Sequence, residues 1–388
     1  MEASKGMEIA GSNQNRRGRL GEIAREFLRL GFVAFGGPPV HFAMMEERFV
    51  RKKNWLTRER FLDLIGAVNL LPGPSSTELA IYLGEIRGGL VGLILAGACF
   101  ILPAAVMVAG LAWAYGRFGN LPQVAGLLFG IKPVVVSLII PALWNLARGA
   151  LKNAGLTMLA IGVVILAVLG VNVIGLLICA GVLWMVVRES RGFVDTRRAR
   201  IVVLASMSGG WSPGLLPLYL YFLKIGAVVF GSGYVLLAVL RADLVARLQW
   251  LSDAQLLDAI AVSQATPGPF FTVATFIGYL LGGWKGAGLA TLGMFLPAFA
   301  YVAVTASFLP RLRKSSLASA FLDGVNAAAV ALMATVSWQL ARAALINLPA
   351  ILIGVISLVL LFRFRVNSAW LVLGGAIAGI LMRAFGGI

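Results

Sequence analysis

The sequence predicts an all-α integral membrane protein made of two inverted-topology repeats, with broken, re-entrant helices around Gly/Pro motifs. Three observations predict it. The composition is too apolar for water, the chain matches itself at a constant shift, and equivalent loops carry opposite cation biases.

Of 388 residues, 60% are hydrophobic and 13% are charged, and the mean hydropathy is +0.91. Soluble domains are about 45–50% apolar and about 25% charged. A soluble fold of this size cannot hide so much apolar surface, so lipid is the solvent for most of the chain. The net charge of +17 would point to nucleic acid in a soluble protein. Here Lys and Arg gather in short connections between apolar runs, as membrane insertion requires of cytoplasmic loops, and no nucleic-acid partner is expected. Cys99 and Cys179 both lie in apolar runs, and His41 is the only histidine. That inventory argues against a disulfide framework and against a zinc or iron centre, so no cofactor is expected. Met1–Leu20 is polar, carries Lys5, Arg16, Arg17 and Arg19, and lacks the apolar stretch of a secretory signal. It is expected to be a disordered cytoplasmic tail.

Residues 27–74 align without gaps on residues 222–269, a shift of 195, with 17 identities in 48 positions. FLRLGFVAFGG (27–37) matches FLKIGAVVFGS (222–232), Trp55-Leu56 matches Trp250-Leu251, and Asp63 matches Asp258. Pro72-Gly73-Pro74 matches Pro267-Gly268-Pro269. At a shift of 194, Gly84, Gly88, Gly89, Gly92 and Pro103 pair with Gly278, Gly282, Gly283, Gly286 and Pro297. Shared membrane composition cannot keep a register over such a length. The expected units are a tail at 1–21, a first repeat at 22–188, a connector with an extra transmembrane segment at 189–221, and a second repeat at 222–388.

Each half opens with an apolar stretch broken by small residues or proline, FGGPP (35–39) and FGSG (230–233). A polar loop follows, then two short apolar pieces around PGP, 61–71 and 75–86 in the first half. Eleven helical residues rise about 16 Å, half of a hydrocarbon core of about 30 Å. Proline removes a backbone donor and turns its predecessor away from helix. PGP therefore reads as the tip of a helical hairpin that enters and leaves on one side. Longer helices are expected at 89–115, 123–147, 155–170 and 173–187, with partners at 287–308, 317–341, 348–361 and 367–383. The segment 201–221 is expected to add one crossing and invert the second half. Loop charges agree: residues 46–60 hold six cations and their counterparts at 241–255 hold two. Conversely, Arg117 stands alone where the other half has Arg311, Arg313 and Lys314. Opposite bias in equivalent loops is the mark of an inverted repeat.

Non-helical backbone at membrane depth is tolerated only against protein or a water-filled cavity. Helix N-termini at such breaks present N–H groups and a positive dipole end, a receptor for a small anion. Gly36, Gly37 and Gly73, with Gly231 and Gly268 in the second half, let backbone approach closely. Ser75, Ser76 and Thr77 open the helix after the first PGP and can cap it or donate to an anion. The second half keeps only Thr272 there, while Asn69, Gln264 and Thr266 precede the breaks and Ser232 lies in FGSG. Helix capping and packing alone would explain the same residues. His41 faces Leu236 in the alignment, so the fold does not require histidine there. It can serve anion binding or proton coupling, or be a satisfied interior histidine. Lys132 lies within an apolar segment, a costly place that makes it a counter-charge candidate against a snorkelling alternative. Glu78 and Glu85, seven residues apart on one helix face, are candidates for ion coupling. Asp63 and Asp258 suit the start of their helices by dipole.

FGGPP, Trp55-Leu56 and PGP, recurring as FGSG, Trp250-Leu251 and PGP at the same spacing, resemble the two-domain form of the chromate ion transporter family over nearly the whole chain. The resemblance implies a bacterial inner-membrane protein that exports chromate and confers resistance to it. It implies drive by the membrane's ion gradient, with sulfate as a related oxyanion. GSGY for GGPP and PGPFF for PGPSS in the second half leave open whether both halves touch substrate. The expected partners are a small oxyanion and the bilayer, with a homodimer left open. The N-terminus is expected in the cytoplasm. The alternatives are transport of sulfate or another anion on the same scaffold, and a membrane-embedded enzyme. No G-x-S-x-G elbow or Walker motif supports the enzyme.

Overall fold

The computed structural model describes residues 2–119, 121–190, 214–229, 233–306, 316–364 and 366–384. Among these the chain is helical and has no strand. The first half contains α1 (Glu2–Val33), α2 (Pro38–Met45), a π-helical turn (Glu46–Lys52), α3 (Arg58–Val68) and α4 (Ser75–Phe118). It continues with α5 (Pro122–Ala150), α6 (Ala154–Val168) and α7 (Val173–Ser190). The second half repeats the order. It has α8 (Leu215–Val228), α9 (Gly233–Leu240), a π-helical turn (Arg241–Arg247), α10 (Asp253–Ala265) and a 3-10 turn (Phe270–Thr272). After these come α11 (Val273–Thr305), α12 (Ser316–Ala344), α13 (Leu348–Phe364) and α14 (Ser368–Ala384). Four helical stretches, Ser75–Phe118, Val124–Ala150, Phe270–Thr305 and Leu317–Ala344, are long and apolar enough to cross a membrane. Large apolar side chains such as Leu90, Val106, Met158, Leu292, Trp338 and Trp370 point outward, where lipid tails would solvate them.

The long helices α4 and α11 are each two arms. Gly89 (φ 62°, ψ −153°) and Gly283 (φ 60°, ψ −151°) adopt one matched conformation, open to glycine and costly for other residues. The arms turn back there. Gly84 packs on Gly92 and Ala96, Gly97 on Ile81, and in the other half Gly278 on Gly286 and Ala290. The sequence reading paired these glycines without expecting a hairpin at them. Inside the second arms, Pro103 and Pro297 are tolerated because neighbouring helices pack against the freed turns.

Equivalent arms run in opposite directions. Gly97 lies against Phe299 and Tyr82 bonds Thr305, both near the end of α11. The ring of Tyr115, further along α4, lies 5.3 Å from that of Phe276, which the Gly278–Gly286 contact places beside the start of the second arm. The pseudo-twofold axis therefore lies across the helices, which makes this an inverted-topology repeat. The halves also exchange partners: α5 packs on α14 of the other half and α12 on α7, giving an interleaved bundle of α5–α7 and α12–α14.

In the first half, α1 rises to Ala34 and the chain returns through α2 and the π turn. Phe27 stacks at 4.9 Å on Phe49, which lies 4.4 Å from Trp55, and Glu22 pairs with Lys53 and Arg87, both at 2.9 Å. The Glu22 carboxylate beside Lys53 holds its ammonium above the usual lysine range. This is the re-entrant hairpin expected from FGGPP. One expectation needs correction. The residues read as a disordered tail are included in α1, where no proline interrupts continued helix from the anchored part. Of the extra crossing expected at 201–221, residues 201–213 lie outside the described residues, and Leu215–Tyr221 is the first part of α8, the counterpart of α1.

Candidate substrate site

The two PGP tips meet the broken helices of the opposite half. Gly73 N–H donates to the Val229 carbonyl at 2.8 Å, and Gly268 N–H donates to the Ala34 carbonyl at 2.8 Å. These bonds are equivalent under the shift of 195. Gly73 (φ 129°) and Gly268 (φ 98°) take conformations that other residues reach only with strain. Neither position has room for a side chain. A Cβ at Gly73 would lie 2.7 Å from Glu78 Oε1, and one at Gly268 would lie 2.5 Å from Ala104 Cβ.

The first tip carries the polar chemistry. Ser76, Thr77 and Glu78 are buried at the start of α4, beside half-buried Ser75. Neither Glu78 carboxylate oxygen has a hydrogen-bond partner among the described residues, and the Thr77 hydroxyl has none either. Such groups are normally satisfied when buried, so an unsatisfied set calls for a ligand, water or a proton. No side chain caps α4, whose N-cap is Pro74, or α2, whose N-cap is Gly37. By contrast, α3 and α10 start at the far ends of their hairpins and are capped by Thr57 and by a Ser252/Gln255 capping box. At α4 the Thr77 and Glu78 N–H groups donate to the Pro74 carbonyl, which leaves the Ser75 and Ser76 amides for something else, whereas α2 opens on Pro38-Pro39, which carry no N–H. Half-buried Gly36 and Gly37 form the corner into α2.

His41 is buried, with Nε2 donating at 3.1 Å to the Ala34 carbonyl, the acceptor that also takes Gly268 N–H. Donation to a carbonyl fixes the proton on Nε2 and leaves Nδ1 as an acceptor without a partner among the described residues. The histidine ties the first break to the second PGP.

The second tip is quieter. Thr266 Oγ1 donates to the Val262 and Ser263 carbonyls at 3.1 and 3.2 Å, and Thr272 Oγ1 to the Pro269 carbonyl at 2.9 Å. Both threonines therefore close their own turns. Gln264 keeps an amide nitrogen without a partner among the described residues. Gly231 and Ser232 lie outside the described residues. Asn69 is exposed at the C-cap of α3, away from the buried tip, and Glu85 is half-buried two turns beyond Glu78.

Comparison with known proteins decides the family. A model described as chromate transporter matches residues 21–185 and 216–380, two matches offset by 195 residues at both ends. The chain belongs to the chromate transporter family. It is 32% identical over 379 residues to the chromate transport protein of Cupriavidus metallidurans, covering 93% of each. It is 28% identical over 383 residues to the chromate transport protein of Pseudomonas aeruginosa, covering 93% of this chain and 92% of that one. An uncharacterized transporter of Bacillus subtilis, YwrA, is 27% identical over 129 residues, covering 33% of this chain and 72% of its own length. No solved structure matches the chain.

In this chromate transporter family member, sequence reasoning missed one pairing. Lys132 on α5 binds Asp258 on α10, Nζ to Oδ1 at 2.9 Å, and Tyr115 donates to Asp258 Oδ2 at 3.0 Å. Asp258 lies nine residues before Pro267, about 13 Å along α10 from the tip. In this structure the ammonium answers a carboxylate. The available signal was that Lys132 and Asp258 both fall in apolar surroundings, where a buried charge needs a partner.

Proposed function

We propose that the chain is a secondary transporter that exports chromate from the cytoplasm across the bacterial inner membrane, with a cytoplasmic N-terminus. It is read as a transporter and not an enzyme because its relatives are named as transport proteins. The observation that carries the site is the first PGP tip. There an uncapped helix start and an unpartnered, buried Glu78 lie where the two halves meet.

A tetrahedral dianion shed of water needs several donors at once. The Ser75 and Ser76 amides opening α4 and the hydroxyls of Ser75, Ser76 and Thr77 supply them in one place, and the helix dipole adds favourable potential. Gly36, Gly37, Gly73 and Gly268 let the backbone approach the anion closely, with Gln264, Thr266 and Thr272 on the other half's side; Gly231 and Ser232 belong to the proposed set and lie outside the described residues. Asn69 and Lys132 border this site in the proposal and do not form its centre. Glu78 must be neutral when a dianion lies beside it, since two like charges without solvent repel strongly. Glu78 is therefore the first candidate for proton coupling, with His41 and Glu85 as outer members of a relay. The resting potential itself favours efflux, since moving one charge through 100 mV is worth about 2.3 kcal/mol, and a dianion carries two. Sulfate shares the charge and shape and competes.

The test uses everted membrane vesicles containing the full chain and labelled chromate. An interior-positive potential should drive chromate inward, unlabelled sulfate should slow it, and a pH gradient should change the rate. Chromate movement that matches vesicles without the protein, under either gradient, would overturn the reading.

A further inference from the structure

The two halves share a sequence pattern but do not hold the bundle equally. In the second half, α9 packs on α12 and α7, and α10 packs on α5, α14 and α12. In the first half the chief neighbours of α2 are α4 and the π turn, and those of α3 are the same. Equivalent side chains record the difference. Val235 and Leu257 are 0% and 1% exposed, whereas Val40 and Leu62 are 45% and 49% exposed. Asp258 is buried against Lys132, while Asp63 is exposed. The hydrophobic core divides along the same line. One cluster joins α8–α11 to the bundle, and a separate one holds α1, α2, α3 and both arms of α4 up to Phe100, with Ala298 and Val302 of α11. Meanwhile the middles of α5 (residues 133–139) and α12 (residues 327–333) are buried throughout, so no bundle face lies open for α3.

We propose that transport proceeds by exchange of grip: the α9–α10 hairpin holds the bundle in the present state, and the α2–α3 hairpin takes its place in the alternate state. Related sequences in unequal settings, joined by an inverted pseudo-twofold, define two conformations of similar content. The Lys132–Asp258 pair with Tyr115 is the latch of the present grip. Because Asn326 aligns with Lys132 and Asp63 with Asp258, exchange brings Asp63 to Asn326 without an ion pair. The alternate grip is therefore the weaker-latched of the two. Glycine-rich corners at FGGPP and PGP let each hairpin swing as a unit. The device deepens the transport reading but names no substrate, so it can fail or stand independently of chromate.

The experiment uses the full chain in vesicles, with Cys99→Ser and Cys179→Ser, and needs no transported ion. The pair Asp63→Cys/Asn326→Cys is oxidised with copper phenanthroline, alone and with Lys132→Ala. Expected is a disulfide-linked species whose rate of formation rises about fivefold or more when the latch is removed. Asp258→Asn, which keeps the side-chain shape, should produce the same rise. The companion pair Lys132→Cys/Asp258→Cys should cross-link readily without further change. The proposal is overturned if that companion pair cross-links while the Asp63/Asn326 pair does not, with or without the latch. It is also overturned if protection of a Leu62→Cys thiol scales with protein concentration while Leu257→Cys is unmoved. That result would assign the exposed face to a second copy of the chain.

Discussion

The first and second PGP tips have one backbone and two chemistries. Both glycines sit at positive φ and both donate to the opposite half's broken helix. After that, PGPSSTE buries a serine, a threonine and a carboxylate, and PGPFFTV buries one phenylalanine, a threonine and a valine. The glycine and prolines are thus what the fold needs at both ends of the axis, and Ser75, Ser76 and Glu78 are surplus to folding. A carboxylate that one copy of a duplicated turn does without, and that lies buried and unsatisfied among the described residues in the other, is explained by what it binds.

The sharpest break in that comparison is Glu78. Its counterpart is Val273, fully buried, so the position accepts an apolar side chain. Glu78→Gln keeps the volume and removes the titratable group. Export of chromate should fall to background, with protein abundance and melting temperature held, because a buried carboxylate without a partner adds nothing to stability. Flux and thermal unfolding measured on the same preparation check it. A Gln variant that transports normally and keeps its pH dependence would return Glu78 to a packing role.

A second contrast separates equivalent leucines. Leu257→Ala should destabilise by about 2–5 kcal/mol, the range for a buried leucine. Leu62→Ala, at a half-exposed site, should stay within about 0.5 kcal/mol. Denaturant unfolding in one detergent reads both. Equal losses would mean that the first hairpin is as firmly docked as the second.

The glycines of the tips give a subtler split. Gly73→Ala and Gly268→Ala each pay about 1–2 kcal/mol for left-handed backbone. The new methyl at Gly268 meets Ala104 Cβ, a rigid neighbour, whereas at Gly73 it meets the end of the Glu78 side chain. Gly268→Ala should therefore lose more stability, by a further overpacking cost of about 1–3 kcal/mol. Gly73→Ala should lose more transport, since it displaces the carboxylate. Melting temperature against flux distinguishes them.

Much of this was legible in the sequence, and the reason is duplication. FGG, Trp-Leu and PGP announce local backbone demands, and their recurrence at a fixed shift removed chance as an explanation. Cation bias then carried the inversion, because insertion acts on loop charge and not on packing. What stayed hidden needs three dimensions. Asn69 reads as a donor beside PGP, yet it caps α3 on the exposed side. Paired glycines at 88–89 and 282–283 read only as matched positions of the repeat, and their backbone angles reveal hairpin turns. Lys132 was recognised as anomalous, but its partner lies 126 residues away on the other repeat, and no local rule reaches that far.

That pair supplies the last and smallest expected effect. Lys132 is 21% exposed and Asp258 5%, so solvent screens one end of the bond and the full cost of a severed buried pair does not apply. Lys132→Ala leaves the Asp258 carboxylate buried with only Tyr115 as donor, and Asp258→Ala leaves a lysine that can reach water. The first change should therefore be the more damaging. The double variant should recover part of the loss, with a coupling of about 0.5–3 kcal/mol. A double-mutant cycle by denaturant unfolding measures it. Additive single effects would show that the two charges stand close without stabilising each other, and the asymmetry between the halves would then rest on apolar docking alone.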